Sequence, residues 1–236
     1  MTVYGGPDII TDGLVLHLDA GNRKSYPGSG STWYDLSGNG YNGTFNGTTT
    51  FDSATKSMSF DSGDNTYIST SFNTAYTYIT ISVWFNAQTQ DSNTGSVLRP
   101  IIMLGDFSQD GPLEISMLRP GISSANSIRF QIGYDNVSYT YTTSIAYNDQ
   151  AWHNVVLVKN NNSMSVYSDG QHLSTQAGDT NNTYDRSSGL RIGGGTSITA
   201  RRFLGRVSQV TVHNKVLSAD EIRQNYNALK GRYGLT

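Results

Sequence analysis

The segment Tyr78-Ile-Thr-Ile-Ser-Val-Trp-Phe85 alternates apolar and polar side chains. Its odd-numbered positions are large and apolar: Ile79, Ile81, Val83 and Phe85. Because successive side chains of a β-strand point to opposite sides of the sheet, this period of two predicts a strand with one face in a core. Thr80, Ser82 and Trp84 fall on the opposite face.

Similar short runs recur along the chain, separated by loops rich in Gly, Asn, Ser and Asp. They are Leu14–Leu18, Ser57–Phe60, Pro100–Leu104, Leu113–Leu118, Ser127–Ile132, Ser138–Thr142, Trp152–Val158, Ser163–Tyr167, Leu190–Ile192 and Phe203–Val212. Many short strands divided by turn residues are typical of an antiparallel β-sandwich or barrel. We therefore predict an all-β fold.

One α-helix is predicted near the end of the chain. In Ser218-Ala-Asp-Glu221, Ser218 can cap the first turn while Glu221 reaches back to it, which is a capping box. A helix starting there has one apolar stripe, formed by Ile222, Tyr226 and Leu229. Gly231 is the predicted C-terminal cap. The stripe predicts that the helix packs on the sandwich.

Composition limits the class of protein. Only 14% of the 236 residues are charged, which excludes a coiled coil or a helical bundle. Aromatic residues make up 11% of the chain, which is enough apolar surface to argue against disorder. There is no cysteine, so disulfides and thiolate metal sites are excluded. We predict a single domain over residues 13–236, preceded by an extended arm at residues 1–12 that could dock on a partner.

Net charge and hydropathy indicate which partners and which location to expect. The formal net charge is −2, so no overall field attracts nucleic acid or anionic lipid, and neither partner is predicted. No apolar run reaches 18 residues, so no membrane span is expected. The N-terminus lacks a basic stretch followed by an apolar one, and we expect no signal peptide.

Catalytic residues are not predicted. Glycoside hydrolysis needs two carboxyl groups at a set separation, but Glu114 has no second acid within three positions and Glu221 belongs to the helix cap. The four histidines show no metal-binding spacing: His17, His153, His172 and His213. Gly193-Gly-Gly195 opens no helix and therefore does not indicate a phosphate site. A non-enzymatic protein is expected, and a depolymerase acting through distant aspartates is the remaining alternative.

One loop is a candidate calcium site. Phe60-Asp-Ser-Gly-Asp-Asn-Thr-Tyr67 places Asp61, Asp64 and Asn65 close together after a strand, and hard oxygen ligands suit Ca²⁺. The alternative is an Asx-turn in which Asp61 binds its own backbone. The same two interpretations apply to the segment from Asp35 to Asn42. No other cofactor is expected.

Tyrosines are concentrated in one region, at Tyr134, Tyr139, Tyr141 and Tyr147. Aromatic rings can stack on the apolar faces of sugars, which would indicate a carbohydrate site. Packing in the core or at its rim is the competing interpretation for each of them.

Several stretches together resemble a known family. They are Gly13-Leu-Val-Leu-His-Leu-Asp-Ala20, Thr32-Trp-Tyr-Asp-Leu-Ser-Gly-Asn-Gly-Tyr-Asn-Gly-Thr44, Ser59-Phe-Asp61 with Tyr67-Ile68, Thr80-Ile-Ser-Val-Trp-Phe85, Ala151-Trp-His-Asn-Val-Val156, Val166-Tyr-Ser-Asp-Gly170 and Phe203-Leu-Gly-Arg-Val-Ser-Gln-Val210. In this order they resemble the concanavalin A-like lectin/glucanase superfamily, in particular its laminin-G-like jelly rolls. The resemblance implies two antiparallel sheets packed face to face, with the helix on one of them.

This sequence departs from the family pattern at three points. The loop at Phe60-Asp61 is one residue longer than usual. Ser208 and Gln209 stand where many relatives carry an acidic pair, so a calcium site there is not implied. The Glu-x-Asp-x-Glu strand of the glucanase branch is missing, so catalysis is not carried over.

The two ends of the chain carry a further resemblance. Gly5-Gly-Pro7 and Leu229-Lys-Gly-Arg-Tyr-Gly-Leu235 are similar to segments of proteins encoded by tailed bacteriophages. This implies a location in the virion, as a capsid decoration, tail or baseplate component that forms a homo-oligomer and contacts other virion proteins. A host-surface glycan is a further candidate partner, and a carbohydrate-binding adhesin is the alternative function.

Overall fold

The strands form two antiparallel sheets in the computed structural model, which describes residues 7–61, 66–90, 96–106, 111–133, 139–177, 188–195 and 201–236. Sheet A contains, in spatial order, β14 (Gln171–Ala177), β13 (Ser163–Ser168), β12 (Trp152–Asn160), β7 (Tyr78–Ala87), β16 (Gly205–His213), β5 (Ser57–Phe60) and β4 (Thr50–Asp52). Its eighth strand, β1 (Leu14–Asp19), pairs with β16. Sheet B contains β11 (Tyr139–Thr142), β10 (Ile128–Ile132), β9 (Leu113–Leu118), β8 (Leu98–Leu104), β15 (Leu190–Ile192), β6 (Tyr67–Ser69), β3 (Gly43–Asn46) and β2 (Thr32–Trp33). The predicted all-β jelly-roll sandwich is confirmed.

The main hydrophobic core lies between the two sheets. The alternating residues of β7 predicted to face inward, Ile79, Ile81, Val83 and Phe85, all belong to it and are fully buried. Sheet B contributes the matching set from β9 and β10, which are Leu113, Ile115, Met117, Ile128, Phe130 and Ile132. Side chains between these positions therefore point to the outer faces of the sandwich.

The predicted helix is confirmed as α1 (Ala219–Leu229), and it packs on the outer face of sheet A. The Ser218 hydroxyl accepts from the backbone N–H of Glu221, and the Glu221 carboxylate accepts from the backbone N–H of Ser218. Under the helix lies a second apolar cluster, formed by Val156, Val158, Tyr167, Leu217 and Ile222. Sheet A is thus buried on both faces beneath α1.

The predicted C-terminal cap at Gly231 is wrong. The chain continues after α1 as a 3-10 helix, Lys230–Tyr233, and the left-handed residue that ends it is Gly234, with φ of 74°. The extra turn carries Tyr233 onto Trp84, where the ring centroids are 4.3 Å apart. It also brings Arg232 Nη1 to 2.7 Å from Asp19 Oδ1. These contacts stabilise the additional helical turn, so the helical segment continues past Gly231.

Residues 8–12 lie against the chain's own helix and its last strand. The backbone N–H of Ile10 donates to Asn225 Oδ1 at 2.7 Å, and its carbonyl accepts from His213 Nε2 at 2.9 Å. Gln224 donates to the carbonyl of Asp8 at 2.8 Å. Within the predicted arm, the part that is described is therefore held on the sandwich, while residues 1–6 lie outside the described residues. Across the described residues, no helix has the length and apolar character needed to cross a membrane.

Candidate functional site

A straight row of side chains crosses the outer face of sheet B. Cross-strand partners place these residues side by side on seven neighbouring strands, in the order Thr140, Gln131, Glu114, Met103, Arg191, Ser69 and Thr44. Neighbouring strands lie about 4.8 Å apart, so the row extends over most of the sheet. Gln131, Glu114 and Arg191 come from distant parts of the chain and meet only through this strand order.

The centre of this face holds a group of polar residues that we call the outer cluster: Tyr67, Glu114, Ser116, Arg129, Gln131 and Arg191. Glu114 is 1% exposed and Gln131 is 3% exposed, although both lie on an outer face. Ser116 donates a hydrogen bond to Glu114 Oε1, and Gln131 donates to the carbonyl of Gly133 at 2.6 Å. The outer cluster thus has a buried polar centre, whereas Tyr67 and the two arginines are half-buried.

Several polar atoms of the outer cluster retain hydrogen-bonding capacity. Within the described part of the chain, four of its buried atoms have no hydrogen-bond partner: Glu114 Oε2, Gln131 Oε1, Arg129 Nε and Arg191 Nε. Buried polar atoms without a partner are uncommon in native proteins because each costs about 1–3 kcal/mol. Four of them in one group single out the outer cluster as the candidate site.

Arg191 has a defined orientation at one side of the outer cluster. Its guanidinium carbon lies 4.8 Å from the centre of the Tyr67 ring, and its Nη1 donates to the carbonyl of Gly195 at 3.4 Å. Gly195 belongs to an extension of β15 that pairs with residues 201–203. A Cβ at Gly195 would lie 3.4 Å from Met103 Sδ, so this extension borders the row closely.

Glu114 is the single acidic residue of the outer cluster. Burial raises the pKa of its carboxyl group, and the Ser116 hydrogen bond and the charges of Arg201 and Arg129 offset this only in part. The uncharged form therefore persists to higher pH than it does in an exposed glutamate. The charged groups that act on this carboxyl are arginines, which differs from the pair of carboxyl groups that a glycosidase uses.

The predicted calcium loop is only partly described. The Asp61 Oδ1 atom accepts hydrogen bonds from the hydroxyl groups of Thr48 at 2.6 Å and Thr66 at 3.2 Å. Asp64 and Asn65 lie outside the described residues, so the calcium site at Asp61 and Asp64 stays a prediction. Among the residues that are described, no group of three or more His, Asp or Glu side chains could hold a metal ion.

Ser208 and Gln209 stand where many relatives carry an acidic pair, and both side chains form hydrogen bonds within the protein. Ser208 donates to the carbonyl of Lys56 at 2.8 Å, and Gln209 lies 3.0 Å from His17 Nε2. These residues do not fit a calcium site.

The segment from Asp35 to Asn42 is a turn held together by one carboxylate. Asp35 Oδ1 accepts from the backbone N–H groups of His17 and Ser37, both at 2.9 Å. Its Oδ2 accepts from the Ser37 hydroxyl at 2.8 Å and from the N–H of Tyr41 at 3.1 Å. With four hydrogen bonds to protein groups, Asp35 has the turn-forming role, which explains the residue types in this motif.

The tyrosines of the region 134–147 that the structure describes pack inside the sandwich. Tyr139 is 6% exposed, Tyr147 is fully buried and Tyr141 is half-buried against the main core. Tyr134 lies outside the described residues. For the three described rings, core packing is the correct interpretation and a sugar-stacking platform is not.

His153 is held between two carboxylates at one end of β12. Its Nδ1 lies 2.9 Å from Asp169 Oδ2, and its Nε2 lies 3.2 Å from Asp149 Oδ1. Burial lowers the pKa of His153, but the hydrogen bonds and charges of Asp169 and Asp149 outweigh this effect and raise it. Both ring nitrogens are engaged by acids, so the ring has a structural role as a clamp.

His153→Ala is expected to destabilise the protein more at pH 5.5 than at pH 8.5. Because the folded-state pKa is raised, the contribution of His153 is complete below its unfolded pKa of about 6.5 and is lost as pH rises through the folded value. The extra loss at pH 5.5 should be on the order of 1–2 kcal/mol, as for hydrogen bonds to charged groups. Urea unfolding at both pH values measures it. Asp149→Asn should reduce the pH effect, and an equal loss at both pH values would contradict the clamp.

The chain belongs to the concanavalin A-like lectin/glucanases superfamily, whose laminin-G-type family model matches residues 52–223. The family resemblance of the sequence is thereby confirmed. A search of curated protein sequences finds no match.

Solved structures with the same fold include receptor-binding domains of clostridial toxins. The binding domain of Paraclostridial Mosquitocidal Protein 1 is similar with a TM-score of 0.70 and 15% identity over 95% of this chain and 56% of that one. The binding domain of botulinum neurotoxin DC in complex with SialylT gives 0.69 and 16% identity, over 93% of this chain and 52% of that one. Botulinum neurotoxin type C, whose cell entry depends on two ganglioside molecules, gives 0.70 and 16% identity with the same coverage.

The chain spans about half the length of these toxin chains. At this level of identity the comparison establishes the fold. The protein is therefore a lectin-type jelly-roll domain that is similar in fold to part of the toxins' binding domains.

Proposed function

We propose that this domain is a non-catalytic carbohydrate-binding module and that the outer cluster on sheet B holds the glycan. One observation carries the proposal: four buried polar atoms with open hydrogen-bonding capacity belong to one group of residues on the outer face of one sheet. Binding sites of this kind need a few placed polar groups in a largely apolar setting, which Met103 and the ring of Tyr67 supply here.

The chemistry of the outer cluster suits sugar hydroxyl groups, which both donate and accept hydrogen bonds. Gln131 Oε1 offers an acceptor, and the guanidinium groups of Arg129 and Arg191 offer donors. A bound glycan would therefore satisfy atoms that the described part of the chain leaves without partners. This gain in hydrogen bonding favours binding over the empty state.

A binding role is favoured over hydrolysis by the nature of Glu114. Hydrolysis requires a second carboxyl group at a distance that allows a nucleophile or a water between the two. The groups that act on Glu114 are Ser116, Arg201 and Arg129. The toxin domains of the same fold support binding as well, since two of them are associated with SialylT or gangliosides.

The test is a glycan array followed by titration calorimetry with neutral and acidic oligosaccharides. The wild-type protein is expected to bind at least one glycan, and Gln131→Ala should weaken that binding about tenfold or more, because a hydrogen bond in a buried site is lost. Gln171→Ala, on exposed β14 of the other sheet, is the matched control and should leave the affinity unchanged. Running the array with Ca²⁺ and with EDTA also tests the predicted Asp61 and Asp64 site.

Folding of the variants is checked by circular dichroism and Tm. If Gln131→Ala lowers Tm strongly, Glu114→Gln, which keeps the side-chain size, serves as the second variant of the outer cluster. An array without any bound glycan, or unchanged affinity in both cluster variants, would refute the proposal.

The virion location and the homo-oligomer stay predictions from the resemblance of the chain ends. Virion display and glycan binding are compatible, since a surface-exposed module could attach a particle to its host. Because residues 8–12 are engaged with α1, we infer that contact between the arm and a neighbouring subunit would involve residues 1–7.

A further inference from the structure

We propose that the glycan held by the outer cluster is acidic and that a carboxylate of its sugars is bound by one of the two arginines of the cluster, Arg191 and Arg129. This inference rests on the proposed function and specifies its ligand. The observation behind it is that both arginines of the cluster are half-buried, so that part of each side chain meets solvent, and that each has an Nε without a partner in the described part of the chain.

The balance of charge on this face is positive. Arg129 and Arg191 belong to the outer cluster, and Arg201 acts on it from the neighbouring chain segment. The one acid in the cluster is Glu114, whose burial favours its uncharged form. An acidic ligand would add a negative charge beside Arg129 and Arg191, which a neutral ligand would not.

The geometry of arginine favours a carboxylate among acidic groups. The Nε and one Nη of a guanidinium form a planar fork that matches the two oxygens of a carboxylate. At Arg191 the guanidinium carbon lies over the Tyr67 ring at 4.8 Å from its centre, and the Nε of this fork has no partner among the described residues.

The spacing of the two arginines indicates a short oligosaccharide. Arg129 is on β10 and Arg191 is on β15, with β9 and β8 between them. The two strands are three strand spacings of about 4.8 Å apart. This separation is longer than a single sugar ring. Gln131, Glu114 and Met103 line the path between them. One arginine would thus bind the acidic sugar while these residues contact the rest of the chain.

The experiment compares matched pairs of ligands by titration calorimetry: 3′-sialyllactose against lactose, and an oligogalacturonate against its methyl ester. At least one acid is expected to bind about tenfold or more tighter than its neutral counterpart, which is the effect of one charge-assisted hydrogen bond. This preference should fall as NaCl increases. Arg191→Gln and Arg129→Gln should each reduce this ratio of acidic to neutral affinity.

Arg223→Gln is the matched control, because Arg223 is 58% exposed on α1, on the opposite side of the sandwich. Binding of neutral glycans alone, with no acidic preference, would overturn this inference and leave the proposed function standing. An absence of any glycan binding would overturn both. Equal affinity for a sulfated oligosaccharide, or tighter binding of single-stranded nucleic acid, would also overturn the carboxylate assignment.

Discussion

Replacing Trp84 with alanine is expected to lower the free energy of unfolding by about 3–5 kcal/mol, the range for removing a large aromatic side chain from a core. Trp84 lies between sheet A and the C-terminal segment and is 1% exposed. Its ring stacks on Tyr226, at 5.5 Å between centroids, and on Tyr233, at 4.3 Å. Aromatic pairs add about 0.5–1.5 kcal/mol each to the burial of apolar area.

Urea unfolding followed by circular dichroism measures this loss. Trp152→Ala is the control, because Trp152 is half-buried and contacts the same group through Tyr233, at 4.8 Å. Its cost should be clearly smaller. If Trp84→Ala does not fold, Trp84→Phe should fold with an intermediate stability. Equal losses at Trp84 and Trp152 would show that the stack does not anchor the helix.

Gly193→Ala is expected to destabilise the protein by about 3 kcal/mol, from two separate causes. Gly193 has φ of 82°, a left-handed conformation that costs a residue with a side chain about 1 kcal/mol or more. In addition, a Cβ at this position would overlap the ring of Phe60, which is 2% exposed and packed near Phe203. Overpacking of this kind costs about 1–3 kcal/mol.

Gly40→Ala separates the two causes. Gly40 has φ of 78°, close to that of Gly193, but no atom lies within 4 Å of the position its Cβ would take. Its replacement should therefore cost only the backbone contribution. The difference in unfolding free energy between the two variants measures the clash with Phe60. Equal costs would mean that the ring moves aside freely.

The fold could be predicted from the sequence where a strand has one buried face. The alternation in β7 and the capping box at Ser218 are local patterns with one physical meaning, and both are confirmed. Strands that need no apolar face were missed, such as the exposed edge strand β14. The end of the helix was also missed, because the reason for its extra turn is the contact of Tyr233 with Trp84.

The outer cluster could not be predicted, although its members carry a signal. Glu114, Gln131 and Arg191 each stand between two apolar residues of a strand, which assigns them to an outer face. The missing information was the order of the strands, which brings positions 114, 131 and 191 into one row. Strand order depends on tertiary packing and is not encoded in any single segment.

Strand β12 illustrates how two layers constrain one segment. Val155 and Leu157 belong to the core between the sheets, whereas Val156 and Val158 belong to the cluster under α1. An aliphatic run with both faces covered would fit nearly as well after slipping by one residue. The buried ends of the strand oppose such slippage, because Asn154 donates to Ser82 Oγ at 2.9 Å and Lys159 donates to the carbonyl of Thr77 at 3.2 Å. Two polar side chains thus fix the alignment that the apolar ones leave ambiguous.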